Sequence, residues 1–339
     1  MKRDLILIIG QTPDLHIEKV LEILKEKGEN VAFLQRYNNY DQLSIHFNNF
    51  KDTKLSLKTD KTIPPKNIKS IWMRLKPSLL SEFPGGVGST EERFIVYEWN
   101  SLMKPFLQEL SPNKWVNHPD RNHHIGYKVN QLKLAQECGL TIPETIIGNS
   151  MSSVLSLFDK HEKLIYKTLS SFIMPPNRVI YSTLISKNDI KNSKHTFAMA
   201  PGIYQAYIEK NYELRITIVG EKLFIAHIDS QSSKETSIDW RKNQLRSMYK
   251  PGKISPELLK KLKKFHRLAG LRYAAYDFIV DKNENEIFLE CNPGGQWLWI
   301  EDALDFKISE AIAEELVSAE TALTYQSSHV YATPQRAFS

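Results

Sequence analysis

The sequence predicts a mixed α/β (α+β) protein built from a parallel-sheet unit, a small αβ unit and a unit of long antiparallel strands. Three observations predict it. Residues 5–9 are an apolar run that reads as a buried strand, and a helix and a second strand, Val31 to Leu34, follow it. This βαβ start implies a parallel sheet. Between Leu140 and Ser182, short extended segments flank one helix, and from Ile203 the pattern changes to long strands at 203–208, 213–219 and 223–229. At 339 residues the chain is long enough for two or three packed units.

Taken in order, Pro13 opens the first helix, whose apolar positions Ile17, Val20, Leu21 and Leu24 recur at helical spacing until Gly28 stops it. A single glycine marks the first turn, so the dinucleotide-binding fingerprint is absent. The strand Ser70 to Arg74 ends on an arginine. The segment Pro84 to Thr90 has the glycines of a phosphate loop but lacks the lysine before Ser/Thr, and it reads as a surface loop. A helix is expected over 91–110, and Trp115-Val116-Asn117-His118-Pro119 closes the first unit.

A helix from Gly126 to Cys138 buries Val129, Leu132, Ala135 and Cys138, with Gly139 as its cap. Another runs from Asn149-Ser150 to about Lys160, and strands follow at 164–168 and 179–182. A polar loop spans Gln231 to Gln244. The helix after Ser255 is signalled by that N-cap, by Pro256, by Leu259, Leu262, Phe265 and Leu268, and by Gly270. Strands at 274–280 and 286–292, a helix from Ile308 to Leu316 and a frayed tail complete the chain. The expected units are 1–120, 121–204 and 205–325, with a tail at 326–339.

Hydrophobic residues at 41% and charged residues at 25% exclude overall disorder. Cys138 and Cys291 are far apart inside apolar patterns, which excludes a disulfide framework and fits a reducing cytoplasm. No stretch approaches transmembrane length, and the apolar run at 5–9 is too short for a signal peptide. The net charge of +6 is spread over scattered lysines without a nucleic-acid motif; it reads as a solvated surface or as suited to an acidic small molecule or peptide. His118, His123 and His124 lack zinc-site spacing.

The last two strands carry the most informative geometry. Side chains alternate along a strand, so Glu290 and Asn292 share a face. A four-residue loop at Lys282–Asn285 pairs Asp281 with Glu286 and sets Asp277 opposite Glu290 on that same face. Two carboxylates across a hairpin repel each other unless cations lie between them, and an all-oxygen set suits Mg²⁺ with substrate phosphates. An exposed polar face at a sheet edge is the other reading.

The run Glu290-Cys291-Asn292-Pro293-Gly294-Gly295-Gln296-Trp297 resembles the closing metal motif of ATP-grasp ligases, in the form found in graspetide synthetases, which make microviridin-type peptides. Segments in the same order support the likeness: Trp115–Pro119, Lys128-x-x-Gln131-Leu132-x-x-Ala135, Lys167, Gln205-x-Tyr207-Ile208-x-Lys210, Glu213-Leu214-Arg215, Ile228–Gln231 and Asp239-Trp240-Arg241. The resemblance implies an ATP-grasp fold with an N-terminal Rossmann-like pre-ATP-grasp domain, a small central lid domain and a C-terminal antiparallel-sheet domain.

It further implies roles. Asp277, Glu290 and Asn292 would hold Mg²⁺ (two ions), and Lys128 and Lys167 would hold the phosphates of ATP. Gln205, Tyr207 and Ile208 would read adenine, and Glu213 would bind ribose. Arg215 would face phosphate or the activated carboxylate, unless Glu213 and Arg215 simply form a surface ion pair. Asp239 and Arg241 would form an Asp-x-Arg element whose arginine engages an acidic substrate side chain, unless the segment is a solvated charged loop. Ser170 to Pro176 departs from the glycine-rich lid loop common in the fold.

The implied reaction has two steps: an Asp/Glu carboxylate of a ribosomal precursor peptide (a leader plus an acidic core) takes the γ-phosphate of ATP. A Ser/Thr hydroxyl or Lys amine then displaces phosphate and closes a macrocyclic ester or amide. The alternatives are a ligase adding a free amino acid to a peptide or protein end, and a nucleotide-gated binding protein without turnover. The resemblance admits a homodimer and gives no role to nucleic acid or membrane.

Overall fold

The computed structural model describes residues 5–35, 43–48, 52–57, 61–63, 67–74, 90–108, 110, 115–170, 173–174, 178–179, 181–232, 238 and 246–318. The N-terminal part contains β1 (Leu5–Gly10), α1 (Leu15–Glu26), β2 (Asn30–Gln35), β3 (Leu43–Asn48), β4 (Asp52–Leu57), β5 (Lys61–Ile63), β6 (Ile68–Arg74) and α2 (Thr90–Gln108). The expected βαβ start forms a parallel sheet in the order β2-β1-β6. Every residue of β1 is buried because both faces are covered. Ile6 and Ile8 pack on Ile17, Val20 and Leu24 of α1, whereas Leu5, Leu7 and Ile9 pack on Phe106 and Leu110. The antiparallel sheet β3-β4-β5 lies in a stretch that sequence reasoning left unassigned.

Next come α3 (Pro119–Gly126), α4 (Lys128–Glu137), β7 (Thr145–Gly148), α5 (Met151–Lys160), β8 (Leu164–Lys167), β9 (Ile173–Met174), β10 (Arg178–Val179), β11 (Thr183–Ile185), α6 (Lys187–Asn192), α7 (Lys194–Met199) and β12 (Gly202–Ala206). The strands β11-β8-β12-β7 form one antiparallel sheet, with Val154, Leu157, Ile190 and Phe197 packed on Leu164 and Tyr204. The expected strand 203–208 is therefore shorter and belongs to this sheet rather than to the long-strand unit. Its five residues are all buried, and an apolar run does not reveal which sheet it joins. The expected boundary after residue 204 falls inside β12. Pro119 starts a further helix, α3, ahead of the one expected from about Gly126, which is α4 and begins at Lys128 after the break at Tyr127.

The C-terminal part comprises β13 (Lys210–Val219), β14 (Lys222–Ile228), β15 (Tyr249–Pro251), α8 (Pro256–Ala269), β16 (Tyr273–Asp281), β17 (Glu286–Asn292), α9 (Leu298–Leu304) and α10 (Ile308–Ser318). Its sheet runs β15-β14-β13-β16-β17, all antiparallel. One face, with Leu214, Ile216, Tyr276, Phe278, Phe288 and Cys291, packs on α4 and α8. α8 has the expected ends: Ser255 Oγ accepts from Leu258 N at 3.0 Å, and Gly270 takes φ +69°. Its buried stripe is Leu258, Leu262, Phe265, His266 and Ala269, one step round from the expected one; Leu268 is exposed. α10 returns to the N-terminal sheet, where Ala311, Ile312 and Leu316 join Ile6 and Ile8 in one cluster.

Burial pushes the His266 imidazole down to about 3 from 6.5. Its Nδ1 lies 2.7 Å from the Tyr276 hydroxyl. A folded-state value below the unfolded one means that stability is full above 6.5 and falls as acid protonates the unfolded chain first. Between pH 6.5 and about 3 the expected slope is about 1.4 kcal/mol per pH unit. Denaturant unfolding across that window should show a dependence on pH steeper by this amount in the native protein than in His266→Phe.

Candidate active site

The site lies on the face of the five-stranded sheet opposite the α4–α8 core. Along β13, Leu214, Ile216 and Ile218 enter that core, so Glu213, Arg215 and Thr217 point to the other side. In β16, Tyr276 and Phe278 enter the core and Asp277 does not. Asp277 pairs with Arg215 on one side and Glu290 on the other.

The expected Asp277–Glu290 pairing is present, but the route to it differs. Near the turn Glu286 pairs with Val280, not Asp281, because the Asp281 carboxylate accepts from the amides of Asn283 and Asn285 and tightens the loop. A bulge at Leu289 then restores the register, so that Phe288 pairs with Phe278 and Glu290 with Asp277. The bulge lets both Phe288 and Cys291 reach the core while Glu290 turns to the site.

The side chains converge there. Arg215 donates through one terminal nitrogen to both Asp277 oxygens, at 2.8 and 2.9 Å, and through the other to Gln296 O at 3.1 Å. Lys128 Nζ lies 2.5 Å from Glu290 Oε2. The Asn292 amide bridges the two carboxylates, donating to Asp277 Oδ2 and Glu290 Oε1 at 3.1 Å each. Burial raises the Glu290 pKa, but Lys128, Asn292 and Lys167 overcome it and hold the carboxyl well below the usual carboxylate range. Burial likewise opposes the Arg215 charge, and Asp277 outweighs it. Lys167, at the end of β8 in the β11-β8-β12-β7 sheet, therefore acts on the carboxylate held by β17.

An exposed polar edge is thereby overturned: Asp277 and Glu290 side chains are only 14% and 23% accessible, and each has a cation. A surface pair of Glu213 with Arg215 is overturned too. Glu213 is buried and bonds Lys210 Nζ at 2.6 Å, leaving Arg215 to Asp277. Gln205 is buried and donates to Thr145 Oγ1 at 3.0 Å. Tyr207 N bonds Lys163 O at 3.0 Å, and Ile208 follows, half-buried, where the chain passes from β12 to β13. Asp239, Trp240 and Arg241, like Pro84–Ser89, lie outside the described residues.

Hard oxygen donors facing each other fit Mg²⁺. A half-turn of the Asn292 amide would put its oxygen where its NH₂ now bridges. Among the described residues no group of three or more His, Cys, Asp and Glu could hold a metal. A cation here therefore has to share its remaining positions with a phosphate or water.

The framework around the site was less legible. Val129, expected in the α4 stripe, is exposed, and Gln131 is buried instead. Its amide bonds both backbone groups of Cys291, at 2.8 and 2.9 Å, which satisfies the buried polar group and fixes Lys128, one turn away, beside Glu290. Asn117 accepts from Arg272 N and Tyr273 N and donates to Tyr273 O and Pro293 O, tying β16 to the loop after β17. Arg74 and Asp14 form a buried pair at 3.0 Å below that loop. Burial would raise the Asp14 carboxyl, and His16 and Arg74 bring it down to about 2. The only sequence signals were an arginine ending a strand and an aspartate before a helix.

Solved structures of similar fold bear on the same site. A RiPP-associated ATP-grasp ligase from Chryseobacterium gregarium, in complex with ADP and a leader and core peptide, is 24% identical, with a TM-score of 0.79 over 94% of this chain and 98% of that one. The macrocyclase MdnC of Microcystis aeruginosa MRC, bound with precursor peptide MdnA, is 27% identical, with a TM-score of 0.78 over 92% and 99%. The macrocyclase MdnB from the same source is 25% identical, with a TM-score of 0.73 over 93% and 99%. Over more than nine-tenths of its length this chain is similar to the ATP-grasp macrocyclases that make graspetides. No protein-family model and no curated protein matches it. Among the described residues no helix of this ligase is long and apolar enough to cross a membrane.

The loop 293–297 after β17, the signature loop, carries a steric demand. A Cβ on Gly295 would lie 2.7 Å from Ala275 Cβ and 2.8 Å from an Arg215 terminal nitrogen, whereas one on Gly294 meets nothing within 4 Å. Gly295→Ala should push Arg215 aside and lower turnover about a hundredfold, with Gly294→Ala near native. Steady-state ADP release by the two variants checks this.

Proposed function

We propose that the enzyme activates Asp or Glu side chains of a ribosomally made precursor peptide as acyl phosphates and joins them to Ser/Thr hydroxyls or Lys amines, closing macrocyclic esters or amides. The observation that carries the reading is the meeting of Lys128, Arg215, Asp277, Glu290 and Asn292 on one face, with Lys167 of the lid sheet acting on the same carboxylate.

A bare carboxylate is a poor electrophile because oxide would have to leave; transfer of the γ-phosphate gives it a stable leaving group and releases ADP. Lys128 and Lys167 bind the triphosphate as point charges. Arg215 orients the transferred group or the acyl phosphate with its planar donors. Mg²⁺, held by Asp277, Glu290 and the Asn292 oxygen as two ions, would neutralise phosphate charge. Gln205, Tyr207 and Ile208 at the crossing from lid to catalytic sheet suit adenine, and Glu213 the ribose. Arg241, in the Asp-x-Arg element that it forms with Asp239, engages the acidic side chain of the core peptide. Two buried free thiols, Cys138 and Cys291, suit a cytoplasmic enzyme.

The test mixes enzyme, ATP, Mg²⁺ and the peptide encoded beside its gene. The peptide should lose the mass of one water per crosslink as ADP is released. A mass gain would identify amino-acid addition instead, and unchanged mass across candidate precursors would refute the reading. Light scattering of the same sample distinguishes monomer from the homodimer.

A further inference from the structure

The signature loop is gripped from below by the N-terminal sheet, through residues outside the nucleotide and metal set. Arg74, buried at the end of β6, donates through Nε to Asp14 Oδ2 at 3.0 Å, and one terminal nitrogen reaches Gly294 O at 3.1 Å and Gly295 O at 3.4 Å. Its guanidinium lies 4.8 Å from the centre of the Trp297 ring. Asp14 accepts from His16 Nδ1 at 3.0 Å, and the opposite ring nitrogen, Nε2, accepts from Trp297 N at 3.2 Å. A donor at Nδ1 and an acceptor at Nε2 define one neutral tautomer, fixed by Asp14.

Between the two gripped ends lies Gln296, whose carbonyl accepts from Arg215. Tyr273 OH adds a third hold, on Gly295 O at 2.7 Å. The sequence separations are 60 residues from Asp14 to Arg74 and more than 200 from Arg74 to the loop, so no local propensity places these groups together. A buried arginine shared between a carboxylate and two carbonyls is far more elaborate than packing requires.

We propose that Asp14, His16 and Arg74 are positioning residues that set Arg215 through the 294–297 backbone. This inference rests on the proposed role of Arg215 at the transferred group. The N-terminal domain then takes part in catalysis through the loop, without touching ATP. Misplacing a reacting group by about 1 Å costs about a hundredfold in rate. Lysine cannot replace Arg74, because a single ammonium lacks the planar fork that serves Asp14 and the loop together.

The experiment compares native enzyme with Arg74→Met, Arg74→Lys and Asp14→Asn, the last leaving the side-chain volume of the helix cap in place. Two quantities are read: kcat and KM for ATP in peptide-dependent ADP release, and hydrogen exchange of the 294–297 amides against those of β13. We expect kcat to fall about tenfold to a hundredfold in all three, KM for ATP to stay within about twofold, and exchange to quicken at 294–297 with β13 still protected. Native kcat, or native protection of the loop, would overturn the proposal. So would quickened exchange everywhere in Asp14→Asn, which would mark a purely structural pair. Hydrogen exchange needs no substrate, so native enzyme that releases no ADP with any peptide would refute the functional reading and leave the latch to be decided by exchange alone.

Discussion

Glu290→Gln should lower peptide-dependent ADP release on the order of a thousandfold and leave the fold intact. The carboxylate is held ionised by Lys128 at 2.5 Å and by Lys167, and it shares the Asn292 amide with Asp277. Glutamine keeps the shape but removes the charge that would hold a divalent cation against the phosphates. The same change frees Lys128 from its counter-ion, so affinity for metal-free ATP should rise while turnover falls. Titration calorimetry with ATP in chelator, beside steady-state rates with Mg²⁺, separates the effects. A variant that loses turnover and metal-free ATP binding together would place Glu290 outside the phosphate cradle.

Arg215→Met should act on stability as well as rate. Arg215 is buried and bonds both oxygens of Asp277, a carboxylate on the neighbouring strand. Removing one partner of a buried pair costs about 3–5 kcal/mol, because the other charge stays in place without compensation. Denaturant unfolding in chelator should show that loss. Millimolar Mg²⁺ should return part of it by compensating Asp277, and should stabilise the variant more than the native protein. Equal stabilisation of both would contradict the assignment of Asp277 as a metal ligand. Turnover should not return with Mg²⁺, since methionine donates nothing to the transferred group or to Gln296.

The hairpin geometry was legible because it is local. Alternation places Glu290 with Asn292, and a short loop brings Asp277 across from Glu290. Even there, the reading reached the right pair through a register that is one residue off at the turn, and only the bulge at Leu289 reconciles the two. Bulges leave little trace in hydrophobic periodicity. The βαβ start and the ends of α8 were legible for the same reason, through Pro256, Ser255 and the positive φ of Gly270.

What sequence reading missed is what crosses the chain. The sheet that β12 joins, the burial of Gln131 in place of Val129, and the Asp14–Arg74 grip all depend on partners between 36 and more than 200 residues away. A buried glutamine looks like a surface residue until its backbone partner is known. The likeness to graspetide synthetases supplied Lys128 and Lys167, which periodicity would have left as ordinary exposed lysines. It supplied no reason for Asn117, whose amide joins β16 to the signature loop.

The most direct test of the account follows the oxygen atoms. A precursor peptide whose Asp and Glu side-chain carboxylates carry ¹⁸O is crosslinked with ATP and Mg²⁺, and the released inorganic phosphate is analysed by mass spectrometry. Activation of the carboxylate as an acyl phosphate predicts one labelled oxygen in phosphate for each ring closed. Rings formed with unlabelled phosphate would contradict it.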